Sequence, residues 1–458
     1  MASGSSADDT KIYVLINYED PYVQPLILSA LEKRLASTKY QLITSLGSLP
    51  SPTSFLLQFL QYESLDFEHV ISNSTTSLCN AYIIRKALIR KHYLSTTVAN
   101  WITKHPDSIL AKTVKPSVEF EVDYAEFLDD ALVEAYELKE GWERNATKEN
   151  EEEKEWWILK PGMSERGQGI RLFSSEEELT AIFEEWDPAS DDENEDEDAR
   201  SDQADTNQNM EKEEGNGIVT SQLRHFIAQP YIHPPLLLNP PSSAPDSAPR
   251  KFHIRTYVLA VGALKVYVYK PMLALFAAKP YIPPWEAVQT EDGLKACLTN
   301  TCLQDTRERD GSVGLFWNLP NELPTTATRV STSFHNTEGT WKSAAFSQIL
   351  HITAQIFEAA ARSMSIHFQP LPNSFEIFGL DFMVGVEGDG DLRTWLLEVN
   401  AFPDFRQTGE ELKGLVEGLF EGVVDVGIAS FFKLGEHEEH RSEEEKMVQV
   451  LDIDLGRR

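Results

Sequence analysis

The hydrophobic pattern of the N-terminal region predicts a strand, a helix and a second strand. Residues 11–17 form an almost unbroken run of branched and aromatic side chains, which is typical of a buried strand. Residues 22–35 carry apolar positions at helical spacing, and residues 40–44 again have a strand pattern. This order predicts a small, Rossmann-like α/β domain over residues 1–70. Because no glycine-rich phosphate loop follows the first strand, dinucleotide binding is not indicated.

The next part of the chain predicts a mixture of helices and strands. Residues 78–94 and 125–136 have apolar positions at helical spacing. Residues 156–173 predict a strand, a glycine-containing loop and a second strand. Residues 175–186 open with one serine and three glutamates, which predicts a helix with a serine cap.

The second half of the chain predicts a strand pair and two long helices. Residues 225–232 are apolar but end in a proline-rich segment, so taken alone they favour a turn. Residues 250–260 alternate charged and apolar side chains, and residues 264–270 are predicted to pair with them as a hairpin. The remaining predictions are helices at 339–366 and 411–432 and a charged, frayed tail at 435–458.

Two apolar runs near the C-terminus, residues 375–385 and 394–403, flank a turn-rich connection and predict a β-hairpin. Asp381 lies within the first run, whereas Glu398 and Asn400 are two residues apart and share one face of the second. Carboxylate and amide oxygens suit a hard cation such as Mg²⁺. The alternative is that the carboxylates face water from an edge strand. Three oxygen ligands within such apolar runs favour the metal site, because an unpaired buried carboxylate is costly.

Composition narrows the possible classes of protein. The 458 residues are 41% hydrophobic and include 9 Trp, which indicates a globular chain of two or three domains. Neither a membrane span nor a signal peptide is predicted. With Cys at only 3 positions, we expect a cytoplasmic protein without a disulfide framework. The formal net charge of -32 argues against general nucleic-acid binding.

Much of the negative charge lies in one segment. Residues 184–214 hold 15 acidic residues against Arg200 and Lys212. Almost no apolar side chains accompany them, so residues 187–216 are predicted to be a disordered insertion at the surface. A partner-docking role for this segment is an alternative without support of its own.

Basic residues gather at two other places in this acidic chain. Arg85, Lys86 and Arg90 lie in the predicted helix 78–94 and could meet phosphates or an acidic chain, a solvated basic face being the alternative. Lys160 ends a predicted strand at the mouth of the glycine loop, where its ammonium could bind phosphate oxygens.

A third group of cations lies on the predicted strand 250–260. Lys251, His253 and Arg255 occupy alternate positions and therefore share one face. Such a stripe suits a triphosphate. The alternative is the solvent-facing side of an amphipathic strand.

Together these segments resemble the tubulin–tyrosine ligase family, a branch of the ATP-grasp enzymes, over about residues 78–432. The motifs that carry the resemblance follow the family's order and spacing: Arg85-Lys86, Trp-Ile-Leu-Lys at 157–160, Arg-Gly-Gln-Gly-Ile at 166–170, Ala-Gln-Pro-Tyr-Ile at 228–232, Pro-Leu-Leu at 235–237, Lys-Phe-His-Ile-Arg at 251–255, Leu-Thr-Asn at 298–300, Phe-Gly-Leu-Asp-Phe-Met at 378–383 and Leu-Glu-Val-Asn at 397–400.

The resemblance implies an α/β (α+β) fold of the ATP-grasp type, with ATP lying between two sheets. It implies that the following residues contact the nucleotide: Lys86, Lys160, Arg166, Gln229, Tyr231, Ile232, Lys251, His253, Arg255, Thr299 and Asn300. It also implies that Asp381, Glu398 and Asn400 bind Mg²⁺, and that Arg255 and Glu398 are catalytic.

The reaction implied by the resemblance is ATP-dependent formation of an amide bond. The family activates a carboxylate as an acyl phosphate, which the amine of an amino acid then attacks. The metal and the cations would neutralise charge on the transferring phosphoryl group. The expected partners are a protein substrate, with the tubulin C-terminal tail as the candidate, and tyrosine or glutamate as the co-substrate.

The chain departs from the family's pattern at three positions. His253 replaces the usual aspartate of the Lys-Phe-Asp-x-Arg motif, and Pro230 replaces a lysine of the adenine segment. Leu275 stands where relatives commonly have an arginine that helps to recognise the acceptor. An acidic tail should also be repelled by the net charge unless basic residues gather on one face.

Three hypotheses follow from these observations. The first is a carboxylate–amine ligase of the tubulin–tyrosine ligase type. The second is an ATP-binding pseudoenzyme or scaffold that has lost the acceptor site, and the third is a ligase for another acidic peptide or small molecule. The predicted domains are 1–70, a central subdomain 71–232, a C-terminal domain 249–434 with the metal site, and the tail.

Overall fold

A computed structural model of the chain describes residues 11–162, 169–186, 224–241, 243, 247–288, 291–299, 312–323, 340–388, 390–409, 411–434 and 446–456. The chain divides into two compact units. The larger unit combines Met1–Pro116 with Ile232–Arg458, and the smaller one is Ser117–Tyr231. The domain limits expected from the sequence stay predictions.

The strands are β1 Ile12–Asn17, β2 Tyr40–Ile43, β3 Leu56–Leu60, β4 Ser77–Cys79, β5 Val118–Glu121, β6 Trp157–Pro161, β7 Arg171–Phe173, β8 His225–Pro230, β9 Leu237–Leu238, β10 Arg250–Val261, β11 Lys265–Tyr269, β12 Leu273–Phe276, β13 Val313–Leu315, β14 Phe375–Val386, β15 Leu392–Ala401 and β16 Met447–Asp452. The helices are α1 Val23–Arg34, α2 Phe67–Ser72, α3 Lys86–Ile89, α4 Lys91–Lys104, α5 Leu110–Thr113, α6 Leu128–Ala131, α7 Tyr136–Ala146, α8 Glu176–Trp186, α9 Pro284–Ala287, α10 Glu291–Cys297, α11 Trp341–Ser363, α12 Lys413–Val423 and α13 Ser430–Phe432.

The N-terminal part of the larger unit is a parallel sheet in the order β2-β1-β3-β4. The predicted strand, helix and strand are confirmed as β1, α1 and β2. The helix starts where Asp20 Oδ1 accepts hydrogen bonds from the backbone N–H groups of Tyr22 and Val23. This carboxylate satisfies donors that a helix N-terminus leaves unpaired.

An eight-stranded sheet, with β10 at its centre, forms the core of the larger unit. β10 pairs antiparallel with β11, β12 and β14, and β14 pairs antiparallel with β15. Both hairpins predicted from the sequence, β10–β11 and β14–β15, are therefore confirmed. They place the predicted phosphate-facing strand beside the predicted metal-binding strands.

Both faces of β10 are covered. Ile254 and Val258 pack in a cluster that includes Ile352 of α11, whereas Tyr257 and Leu259 pack in a second cluster with helix α12. The charged positions of this strand are therefore enclosed by apolar layers on both sides of the sheet. Long helices predicted at 339–366 and 411–432 are confirmed as α11 and α12, the latter continuing as a π-helix over Val424–Ala429.

The smaller unit is an antiparallel sheet in the order β5-β8-β6-β7. The two strands predicted within 156–173 are confirmed as β6 and β7, whereas residues 163–168 of the predicted loop lie outside the described residues. Ser175 Oγ caps α8 by accepting the Glu178 N–H at 3.2 Å. The turn favoured at 225–232 is wrong, because β8 runs between β5 and β6. Pro230 is its last residue, where a missing N–H interrupts the ladder least.

Three other predictions of secondary structure are wrong. Residues 78–94 are not one helix: β4 is followed by an extended segment that Asn80 ties to β3, its side chain exchanging hydrogen bonds of 3.0 and 2.9 Å with the Leu60 backbone. The tail is not frayed throughout, because β16 pairs antiparallel with β11. The helix predicted over residues 125–136 is broken: a 3₁₀ turn at Ala125–Phe127 leads into the four-residue α6, and the longer α7 begins only at Tyr136.

The acidic segment 187–216 lies outside the described residues. Among the described helices, none has both the length and the apolar character needed to cross a membrane.

Candidate functional site

The cationic stripe of β10 is buried. Lys251, His253 and Arg255 are 4%, 6% and 6% exposed, so the solvent-facing interpretation of this strand face is wrong. Lys251 Nζ donates a hydrogen bond of 2.9 Å to the Cys297 carbonyl, and His253 Nδ1 lies 2.8 Å from Thr299 Oγ1. The last residue of α10 and the segment that follows it therefore hold two of the three stripe residues.

Arg255 binds the carboxylate expected to hold the metal. Arg255 and Asp381 are direct partners across β10 and β14, and the guanidinium contacts both carboxylate oxygens at 2.5 and 3.0 Å. Burial alone would lower the pKa of the Arg255 guanidinium, but the Asp381 carboxylate outweighs burial and raises that pKa. Arg255 therefore stays charged at every physiological pH.

The three oxygen ligands predicted for Mg²⁺ lie together. Asp381 and Glu398 are direct partners across β14 and β15, with a β-bulge after Asp381. Asn400 Nδ2 lies 3.3 Å from Asp381 Oδ2 and 3.2 Å from Glu398 Oε1. Lys91 Nζ, from the first residue of α4, lies 3.8 Å from Glu398 Oε2. Two carboxylates thus meet two cations and an amide.

The donor set fits a magnesium ion. Mg²⁺ is usually bound by one or two carboxylates together with substrate phosphates, and Asp381 and Glu398 supply two. Among the described residues, no group of three or more His, Cys, Asp or Glu could hold a metal ion, so the candidate site rests on two carboxylates. Asn400 presents its NH₂ to both carboxylates, whereas a metal would take its amide oxygen.

His253 contributes a buried nitrogen without a partner. Its Nε2 makes no hydrogen bond with the described residues and lies 3.6 Å from Asp381 Oδ1. Burial lowers the pKa of the His253 imidazole more than Asp381 raises it, so the ring is neutral at neutral pH. An unpaired buried polar atom is costly, so Nε2 fits a contact to a bound nucleotide.

Arg85 serves a different purpose from the one considered. It is 9% exposed, its Nε lies 2.8 Å from Glu376 Oε1, and its guanidinium lies 3.7 Å from the centre of the Tyr62 ring. Burial raises the pKa of the fully buried Glu376 carboxyl to about 8, against the opposing effects of Arg85 and the Tyr82 N–H. Arg85 is therefore a buried partner of the Glu376 side chain on β14 and is not part of a solvated basic face.

Lys86 and Arg90 of this region differ in exposure. Lys86 opens α3 and is exposed, whereas Arg90 is half-buried. Arg90 has extended backbone between α3 and α4, so Lys86 and Arg90 do not lie on one continuous helix.

Within the smaller unit, two predicted nucleotide residues contact each other. Lys160 Nζ donates a hydrogen bond of 2.9 Å to Gln229 Oε1, and Gln229 Nε2 donates one of 3.1 Å to Ser117 Oγ. Lys160 is 9% exposed at the end of β6. The Tyr231 N–H donates to the Trp156 carbonyl at 2.8 Å.

Of the remaining predicted site residues, the structure describes Ile232 but not Arg166 or Asn300. Ile232, in the larger unit, packs with Met383 and Trp395. Arg166 and Asn300 lie outside the described residues.

Two of the three departures from the family pattern, His253 and Leu275, lie in the larger unit. Leu275 is fully buried on β12 as the direct partner of His253. It packs in the same apolar cluster as Leu273 and Tyr257.

Sequence reasoning assigned no individual role to Lys91 or Glu376. Lys91 was visible only as one of several clustered cations, and its contact with Glu398 depends on where α4 begins. Glu376 carried the same signal as Asp381, a carboxylate within an apolar strand, and that signal could have identified it.

Comparison with known proteins places this chain in a family. The model of the tubulin–tyrosine ligase family matches residues 79–434. A probable tubulin–tyrosine ligase of Schizosaccharomyces pombe is 45% identical over 94% of this chain and 94% of its own length. The probable tubulin–tyrosine ligase PBY1 of Saccharomyces cerevisiae is 41% identical over 85% of this chain, which spans 48% of that protein.

A solved structure gives the fold. The C-terminal domain of K. lactis Pby1, an ATP-grasp enzyme interacting with the mRNA decapping enzyme Dcp2, is 34% identical with a TM-score of 0.64. The match covers 97% of this chain and 99% of that one. The chain therefore belongs to the tubulin–tyrosine ligase family and has the mixed α/β fold of the ATP-grasp enzymes.

Proposed function

We propose that the protein is an ATP- and Mg²⁺-dependent carboxylate–amine ligase that adds an amino acid, tyrosine or glutamate, to a protein carboxylate. The observation that carries this proposal is the pair of carboxylates, Asp381 and Glu398, on adjacent strands with Arg255 and Lys91 against them. The low cysteine content, with Cys at 3 positions, fits action in the reducing cytoplasm.

Each residue has a role that follows from its chemistry. Asp381 and Glu398 would hold Mg²⁺, which supplies charge neutralisation during phosphoryl transfer. Arg255 orients Asp381 through two hydrogen bonds and keeps a permanent positive charge in the site. The ammonium of Lys251 places a second positive charge on the same strand face.

The nucleotide would be bound by further groups. The buried Nε2 of neutral His253 is suited to one hydrogen bond with a nucleotide hydroxyl or phosphate oxygen. Lys160 and Gln229 of the smaller unit, with Lys86, Tyr231, Ile232, Thr299 and the undescribed Arg166 and Asn300, complete the proposed set.

The acceptor we propose is the C-terminal tail of tubulin, activated as an acyl phosphate. The names of the fungal relatives support this choice. A glutamate-rich tail must approach a protein of net charge -32, so basic side chains near the site, such as exposed Lys86, would have to attract it.

A second candidate is an ATP-binding scaffold without ligase activity. The buried Leu275 favours it, because relatives commonly place an acceptor-binding arginine there. The interaction of the K. lactis relative with a decapping enzyme also supports a partner-binding role.

Incorporation of a labelled amino acid distinguishes the two candidates. The protein is incubated with ATP, Mg²⁺, labelled tyrosine or glutamate, and tubulin lacking its terminal tyrosine. We expect incorporation by the unmodified protein and a loss of about 10²-fold or more in Glu398→Gln, because a metal ligand is removed. The exposed Glu411→Gln serves as the control and should keep full activity.

Two results would count against the proposal. Full turnover in Glu398→Gln would refute the metal assignment. Binding of ATP without incorporation of either amino acid would favour the scaffold.

A further inference from the structure

An apolar surface of the smaller unit has no role in the proposed reaction. Four of the eight large hydrophobic side chains exposed among the described residues lie between positions 124 and 136. They are Tyr124, Phe127, Val133 and Tyr136, which are 51%, 47%, 58% and 65% exposed. Single exposed apolar residues are ordinary, but a local concentration marks an interaction site.

The backbone of this segment is held by its own buried residues. Leu128, Leu132 and Leu138 are 2%, 1% and 0% exposed and belong to the core of the smaller unit. The rings of Tyr124 and Phe127 contact each other edge to face, with centroids 6.3 Å apart. The exposed side chains are therefore presented by a fixed backbone and not by a loose loop.

Carboxylates are interspersed with these apolar side chains along the segment. Five exposed acidic residues in the same segment have no ion-pair partner among the described residues: Glu126, Asp129, Asp130, Glu134 and Glu137. The basic residue Lys139 is the only one in the sequence between positions 121 and 140. Unpaired charges of one sign next to exposed aromatic rings favour an occupant of the opposite charge.

We propose that this acidic–aromatic surface, formed by residues 124–137, docks a protein segment that carries apolar side chains among lysines and arginines. Aromatic residues supply most of the energy at such interfaces, and complementary charge supplies speed and specificity. This inference does not depend on the proposed ligase activity.

Other occupants fit the surface less well. Nucleic acid and anionic lipid are repelled by carboxylates, and so is a second copy that presents the same surface. The chain's own segment 187–216 is acidic and is disfavoured for the same reason.

Fluorescence anisotropy with two synthetic peptides tests the proposal. The first probe is an amphipathic peptide of about 15 residues built from Leu and Lys, and the second has Glu in place of Lys. We expect the full-length protein to bind the Leu/Lys peptide and not the Leu/Glu peptide.

Matched variants separate this surface from general attraction to an acidic protein. The double variant Phe127→Ser/Tyr136→Ser keeps the net charge and should weaken binding tenfold or more. The control Leu42→Ser/Ile366→Ser removes equally exposed apolar side chains from the larger unit, at 53% and 74% exposure, and should bind normally. Equal affinity of the two double variants, or no binding by the unmodified protein, would overturn the proposal.

A second pair of variants tests the charge. Asp129→Asn/Asp130→Asn should weaken binding, whereas Glu149→Gln/Glu152→Gln, which removes the same charge from exposed positions nearby, should not. Thermal unfolding midpoints should stay unchanged in all four variants, since every substituted side chain is exposed. An equal loss in both charge variants would show bulk electrostatics and would contradict the proposal.

Discussion

At the scale of single residues, strand pairing determines which charged side chains of the site meet. Asp381 faces Arg255 on one side and Glu398 on the other because their positions are direct partners in the two ladders. Lys91 reaches Glu398 from a helix and is the one cation of this group that does not come from the sheet. Its ammonium competes with any metal for the same carboxylate.

Lys91→Met should therefore strengthen the binding of Mg²⁺ or Mn²⁺ to the nucleotide-free protein. A partly exposed ion pair is worth about 1 kcal/mol or less, which corresponds to about fivefold in affinity. Titration with Mn²⁺, followed by electron paramagnetic resonance, measures this change. Lys104→Met, at the exposed end of the same helix, is the control, and weaker Mn²⁺ binding in Lys91→Met would contradict the prediction.

The groupings of side chains that sequence reasoning predicted and the structure shows are those whose environment is local. Lys251, His253 and Arg255 share a face because strand alternation requires it, and Asp381 and Glu398 meet because a hairpin brings them together. Arg85 was misjudged because its partner, Glu376, lies almost three hundred positions away in the chain. No local pattern distinguishes a cation with such a distant partner from a solvated one.

At the scale of elements, β16 shows that a charged tail can complete a sheet. Five of its six residues pair with β11, with an irregularity at Val450, and Met447 is 6% exposed within the apolar cluster around α12. The prediction of a frayed tail rested on composition. Composition does not show that a short apolar run can pair with the edge strand of a sheet. The same limit explains the error at 78–94, where Asn80 binds the β3 backbone in place of a helical turn.

Met447→Ala should consequently destabilise the whole larger unit. Truncating a buried methionine costs roughly 2–5 kcal/mol, since a cavity remains. Chemical denaturation in urea measures this loss. The exposed Gln449→Ala, on the same strand, should change the free energy of unfolding by about 0.5 kcal/mol or less. Equal small effects in both variants would show that β16 does not contribute to the fold.

At the scale of the whole molecule, the net charge determines whether a charged substrate is attracted or repelled at long range. The chain has 73 acidic and 41 basic residues, so its long-range field repels other acidic chains. That field acts in opposite directions on the two proposed protein ligands. An acidic acceptor is opposed by it, and a basic docking partner is attracted.

Salt should therefore improve the use of an acidic acceptor. Raising the ionic strength from about 0.01 M to about 0.15 M shortens the Debye length from about 30 Å to about 8 Å. We expect the KM for a glutamate-rich acceptor peptide to fall over this range. A peptide with Gln in place of Glu provides the control and should show little change, whereas a KM that rises with salt for the acidic peptide would contradict the prediction.

The burial of Leu275 has a consequence for how acceptor preference can change. A leucine with no exposed surface, packed against Leu273 and Tyr257, cannot become arginine without placing a guanidinium where apolar side chains now meet. Leu275→Arg as a single substitution, toward the residue common in the family, would therefore destabilise the protein. Directed evolution toward their acceptor preference would have to vary Leu275 together with its packing neighbours.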